Sequence, residues 1–171
     1  MSHRAIRCLI GDAVKSLDDK IQFGYGRRSD FNIPNNKKYP FVWMLPLTAV
    51  TTIPSDGAGI TKSWNIVLVI IDIDKSSSVE KEYDDILDKM DFIGDSLIRR
   101  IDAWYQSGTD IVGTLTINSV NQTTIIKEDS DIHTGWLFAF QMVTSDMFDY
   151  CVDPDNTALQ NGSYRYNQDT E

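Results

Sequence analysis

Two aspartates close the most apolar run in the sequence, WNIVLVIIDID (residues 64–74), and the serines at 76–78 follow them. A carboxylate at the end of a buried strand can carry a proton or hold a hard cation, so Asp72 and Asp74 are the first residues to weigh for chemistry. A second set lies in residues 80–95, with seven acids and two bases. Asp84, Asp88, Asp91 and Asp95 recur at the spacing that places side chains on one helix face. Hard cations need oxygens converging from several elements, whereas acids on one helix form a solvated face that the dipole favours near the N-terminus. His133, in KEDSDIHTG, has no nucleophile indicated beside it and reads as a turn residue between strands. Cys8 and Cys151 are the only cysteines. They provide neither a zinc ribbon nor a disulfide framework and read as two buried or half-buried thiols. With His3 and His133 the only histidines, a histidine-rich metal site is not expected.

The stretch DIDKS resembles the first motif of the haloacid-dehalogenase phosphatases. That resemblance implies Asp72 as nucleophile, Asp74 as acid/base and a magnesium ion between carboxylates. Further parts are missing from the sequence. No later apolar strand ends in the acidic pair that completes such a magnesium site, and Asp84 and Asp85 fall inside a helical pattern. Asp72 and Asp74 then mark the place where the Ile70 face of a strand reaches water. The reading is non-catalytic, with no cofactor and no metal.

The elements that position these residues follow from periodicity. Ile6, Leu9, Ile10, Ala13, Val14 and Leu17 make one helical stripe within 2–20. FGYGRRSDFNIPNNKKYP, beginning at Phe23, reads as a loop broken by Gly24, Gly26 and Pro34. In FVWMLPL (41–47) Phe41, Trp43, Leu45 and Leu47 share a face at period two, and Pro46 puts the strand at an edge or ends it. Residues 48–63 read as a long loop arm. The 64–74 strand is apolar on both faces, which predicts a central strand with a second cover, either another element or another subunit. From Val79 to Tyr105 a stripe including Met90, Leu97 and Ile101 predicts a helix ~40 Å long, started by a Ser77–Glu80 capping box and stopped at Gly108. Phe92 falls off that stripe and is expected to be exposed. Strands are expected at 111–118 and 135–143, with a short one at 123–127.

The order helix, strand, strand, helix, strand, strand predicts an α+β two-layer domain over residues 1–150. Its mainly antiparallel four-stranded sheet is covered by the long helix and the N-terminal helix. Residues 151–171 read as a polar tail. Composition fits one folded domain, at 171 residues and 42% hydrophobic. No run reaches the ~20 apolar residues that span a bilayer. The N-terminal segment lacks a signal-peptide pattern, so the expectation is a soluble chain made in a cytoplasm, without membrane partners.

The net charge is −9. Residues 1–40 hold eight Lys/Arg against four Asp/Glu, and residues 41–171 hold eight against twenty-one. Such a chain does not grip nucleic acid over its general surface, where binding needs cations that displace counterions. Arg27, Arg28, Lys37 and Lys38 flank Tyr25 and Tyr39, a pairing that suits nucleic acid or an acidic neighbouring subunit.

The element order, the proline-bearing YPFVWMLPL strand, the long loop, the two-faced WNIVLVIIDID strand, the acidic helix and the later TGWLFAFQMVTSDMFDYC stretch together resemble the tail-terminator or tail-completion proteins at the neck of tailed bacteriophages. The resemblance covers about residues 1–150. It implies a non-catalytic virion subunit, assembled in the host bacterial cytoplasm into a six- or twelve-fold ring. Such a ring joins portal or connector to tail and lets double-stranded DNA pass without specific binding. The interaction residues nominated on this basis are Arg27, Arg28, Lys37 and Lys38, Pro54 and Asp56 in the 48–63 arm, the helix acids Asp84, Asp88, Asp91 and Asp95, and Tyr150 and Tyr164. Another structural adaptor, of a baseplate or a secretion assembly, is the alternative.

Overall fold

The computed structural model describes residues 3–28, 30, 39–53, 61–73, 80–106, 115–126 and 133–145. The expected positions Lys37, Lys38, Pro54, Asp56, Asp74, Ser77, Gly108, Tyr150, Cys151, Tyr164 and the 151–171 tail lie outside the described residues.

The described residues fold as a mixed α+β structure with two helices and a six-stranded sheet rather than the four strands expected. Helix α1 (His3–Leu17) is followed by strands β1 (Gln22–Tyr25), β2 (Phe41–Met44), β3 (Thr48–Thr52) and β4 (Thr61–Ile73). Helix α2 (Glu80–Gln106) then leads to β5 (Leu115–Ile126) and β6 (His133–Ser145). The sheet runs β1-β2-β4-β6-β5, with β3 also paired to β4. Among the described strands only the β1–β2 pair is parallel.

Both additional strands lie where the sequence reads as loop. In β1, Gly24 is opposite Trp43, and a Cβ at Gly24 would stand 2.5 Å from the Trp43 ring. The glycine admits a neighbouring indole instead of breaking the chain, a recognised use of glycine within a strand. The Trp43 Nε1–H then donates to the Gly26 carbonyl at 3.1 Å. The expected 48–63 arm is largely a hairpin, since β3 and the first residues of β4 pair from Thr48↔Asn65 to Thr52↔Thr61. Pro46, lacking an amide hydrogen, falls between β2 and β3, which pair with successive halves of the same edge of β4. The break also redirects Leu47. It packs against the main core, whereas Phe41, Trp43 and Leu45 belong to a cluster with Ile71 and Val69.

The strands expected at 111–118 and 123–127 form one strand, β5, with a bulge between Asn118 and Val120. A bulge shifts the alternation by one residue, so a single strand reads as two.

The two helices cover one face. Trp64, Ile66, Leu68 and Ile70 of β4 and Phe138, Phe140 and Met142 of β6 form a buried core with Met90, Leu97 and Ile101 of α2 and the α1 stripe. Burial of each large side chain contributes roughly 1.5–3 kcal/mol before chain entropy is counted. Two indoles fix the layers. Trp64 Nε1–H donates to Thr144 Oγ1 at 3.0 Å, and Trp136 Nε1–H donates to the Leu87 carbonyl of α2 at 2.9 Å. On the other face Phe41, Trp43 and Ile71 are buried, while Val67, Val69, Leu137 and Ala139 are half-buried.

Candidate functional site

Asp72 lies at the penultimate position of β4, opposite Thr134 of β6. Its Oδ2 accepts from Lys89 Nζ at 2.7 Å and its Oδ1 from the Ile73 amide at 2.8 Å. Lys89 is on α2, so the carboxylate ties the strand end to the helix. That arrangement suits a structural pair better than an attacking oxygen, which must be open to a substrate.

The α2 acids do not form one uniform solvated face. Asp84 and Asp88 are exposed, whereas Asp91 and Asp95 are half-buried. Asp95 Oδ1 accepts from Gln122 Nε2 of β5 at 3.2 Å, which sets this flank of the helix over the sheet edge. Asp91 Oδ1 is buried without a hydrogen-bond partner. Burial raises the Asp91 pKa above the usual aspartate value, and the charges of Asp95 and Asp88 push it further in the same direction. Phe92 projects from this flank at 73% exposure, as expected from its place off the stripe. With Asp88, Asp91, Asp95, Ser96 and Arg99 it lines a cleft of about 260 Å³. Among the described residues no group of three or more His, Cys, Asp or Glu is placed to hold a metal ion.

The opposite edge carries a different surface. A cleft of about 570 Å³ between α1 and β1 is lined by Arg7, Lys15 and Lys20 with Val14, Ile21 and Phe23, and by the carboxylates Asp12 and Asp19. Gly11 brings the helix against the strand here, since a Cβ at that position would stand 3.2 Å from the Phe23 ring.

The basic pair and the two tyrosines do not converge. Arg27 and Arg28 are exposed after β1. Tyr25 turns to α1, where its hydroxyl meets His3 Nε2 at 2.8 Å and its ring lies under the Arg7 guanidinium. Tyr39 instead stacks on His133, with its hydroxyl 2.5 Å from Nε2. His133 is thus the first residue of β6 and not a turn residue, held by an aromatic partner 94 positions away. Sequence reasoning had no means of finding that pair. The thiol reading of Cys8 is also corrected, because Cys8 is disulfide-bonded.

Within the described residues no helix is long and apolar enough to cross a membrane. No protein-family model matches the chain, and no curated protein matches it.

Proposed function

We propose that this chain is a structural subunit of a phage neck, a tail terminator or head–tail connector that forms a ring through which DNA passes. The observation that carries the reading is the one-sided packing of the sheet among the described residues. Both helices pack on the Trp64–Ile70 face, while the reverse face offers Val67, Val69, Leu137 and Ala139, half-buried, beside a second apolar cluster. An antiparallel sheet with one covered face usually presents polar residues on the other, so an apolar reverse face favours contact with another subunit. The acidic surface of α2 suits a conduit, since carboxylates repel a passing duplex and keep it mobile. The Asp72–Lys89 pair supports a subunit whose carboxylates hold elements together.

Imaging of assembled particles with an antibody or fused tag on this chain tests the reading. Density at the portal–tail axis is expected; density confined to a baseplate or away from that axis overturns it. The phosphatase alternative predicts magnesium-dependent hydrolysis of a phosphoester, abolished by Asp72→Asn.

A further inference from the structure

We infer that strand β3 of one copy of this chain pairs antiparallel with the first part of β5 of a second copy, so that the sheet continues from subunit to subunit. Over the first residues of β4 the sheet is four strands wide, β3-β4-β6-β5, and among the described residues β3 and β5 are its two edges. Four rows of paired residues cross it. One runs from Thr48 through Asn65 and Gln141 to Asn118, and the others join Ala49 to Ile117, Val50 to Thr116 and Thr51 to Leu115. An edge strand offers its outer N–H and C=O groups to another chain, and proteins ordinarily blunt it with charges or proline. Thr48–Thr52 and residues 115–118 contain neither, so two copies that each carry a net charge of −9 can meet here without opposing like charges. All five residues of β3 are exposed, Val50 among them at 60%. The bulge after Asn118 bends β5 and limits regular pairing to its first part.

Strand direction and hydrogen-bond phase select the partner. The three pairings in this part of the sheet are antiparallel, so β3 and β5 run in opposite directions. A second copy in the same orientation therefore lays its β3 antiparallel to β5 of the first. With the rows running on unshifted, Asn118 meets Thr48, Ile117 meets Ala49, Thr116 meets Val50 and Leu115 meets Thr51. Hydrogen-bonded and non-hydrogen-bonded pairs alternate along each row, because both backbone groups of a residue point to one side. Across four strands, a β5 residue that points them outward shares its row with a β3 residue that does the same, and the two can exchange bonds. The faces agree as well. Ala49 and Ile117 share the row of Trp64 on the helix-bearing face, and Thr48 and Asn118 fall on the reverse face. A two-fold pairing of β5 with β5 would leave β3 uncovered, whereas the β3–β5 contact uses both edges. It is heterologous and repeats, and the rotation between copies determines whether the series closes. The inference deepens the ring reading and rests on it for closure, while the pairwise contact is tested on isolated protein.

Disulfide trapping on the full chain tests the contact, with Thr48→Cys and Asn118→Cys on separate chains. Both positions are exposed, so the substitutions leave the core intact. Opposite residues of an antiparallel pair have Cβ atoms about 4.5–5.5 Å apart, within a small adjustment of disulfide geometry. Under mild oxidation the mixture should form a covalent heterodimer about tenfold faster than either variant or the parent alone, since pairing raises the effective thiol concentration. A chain carrying both substitutions should give a ladder of multimers on a non-reducing gel. Thr123→Cys is exposed on the same face of β5, beyond the bulge and about 16 Å along the strand from position 118. Mixed with Thr48→Cys, it should link no faster than the separate variants. Val50→Lys puts on β3 the residue that ordinarily blunts an edge, and should slow trapping about tenfold when added to the Thr48→Cys chain. A mixture that links no faster than its components, self-linking of either variant at the mixed rate, equal linking at position 123, or trapping indifferent to Val50→Lys would overturn the inference. None of these outcomes bears on where the chain sits in a particle, which the imaging test reads separately.

Discussion

Gly94 lies within α2, where exchange of glycine for alanine ordinarily stabilises a helix by about 0.8–1.0 kcal/mol. Here the fold reverses the sign. A Cβ on Gly94 would stand 2.0, 2.3 and 2.6 Å from three atoms of the Phe138 ring, far inside contact distance. Phe138 is fully buried between neighbours on β4 and β5, so its ring has no free space to enter. Either α2 lifts off the sheet or the ring leaves its rotamer, and overpacking of this kind costs about 1–3 kcal/mol. The overpacking cost outweighs the helical gain, so Gly94→Ala is expected to lose about 1 kcal/mol net, a fall in Tm of roughly 2–4 °C for a chain of this size. Urea unfolding followed by tryptophan fluorescence measures it. Phe138→Leu removes the offending ring atoms, so Gly94→Ala in that background should be much less damaging than in the parent, with coupling of about 1 kcal/mol or more. A Gly94→Ala protein as stable as the parent, or more stable, would refute the packing of α2 on β6 described above.

Leu97→Ala or Ile101→Ala should each cost about 2–5 kcal/mol in the same denaturation assay, because both side chains are buried between α2 and the sheet. Asp91→Asn should stabilise the fold at neutral pH: a raised folded pKa means that ionised Asp91 opposes folding above that pKa. The gain should shrink as pH falls through the raised value and vanish below the ordinary 3.8, where both folded and unfolded chains are protonated; thermal melts across that range read it. Trp136→Phe keeps most of the ring but loses the bond to the Leu87 carbonyl, and should cost about 1 kcal/mol in urea melts.

The helices and the central strands were legible in the sequence because each buries a face at a regular period. The α1 stripe, the Trp64–Ile70 face of β4, the Trp136–Met142 face of β6 and the inward residues of α2 all follow from spacing alone. So did the exposure of Phe92. Short or irregular strands were not legible. β1 holds only four residues and includes a glycine whose purpose is the distant Trp43 ring. All five residues of β3 are exposed, so it buries no face that alternation could reveal. β5 hid behind its bulge.

Of the candidate site, the sequence set residue types and helical phase: four aspartates on one flank of α2 and a phenylalanine among them. Local spacing fixes both, since a helix repeats every 3.6 residues wherever it lies. Tertiary structure alone decided that Asp72 meets Lys89, that His133 meets Tyr39, that Asp91 is pressed into the fold, and that the α1/β1 cleft stands at the sheet edge opposite Phe92. These pairings join residues 17 and 94 positions apart in the first two cases, and they depend on strand order and register. No periodicity along the chain encodes that order; it arises only when the apolar faces find one another.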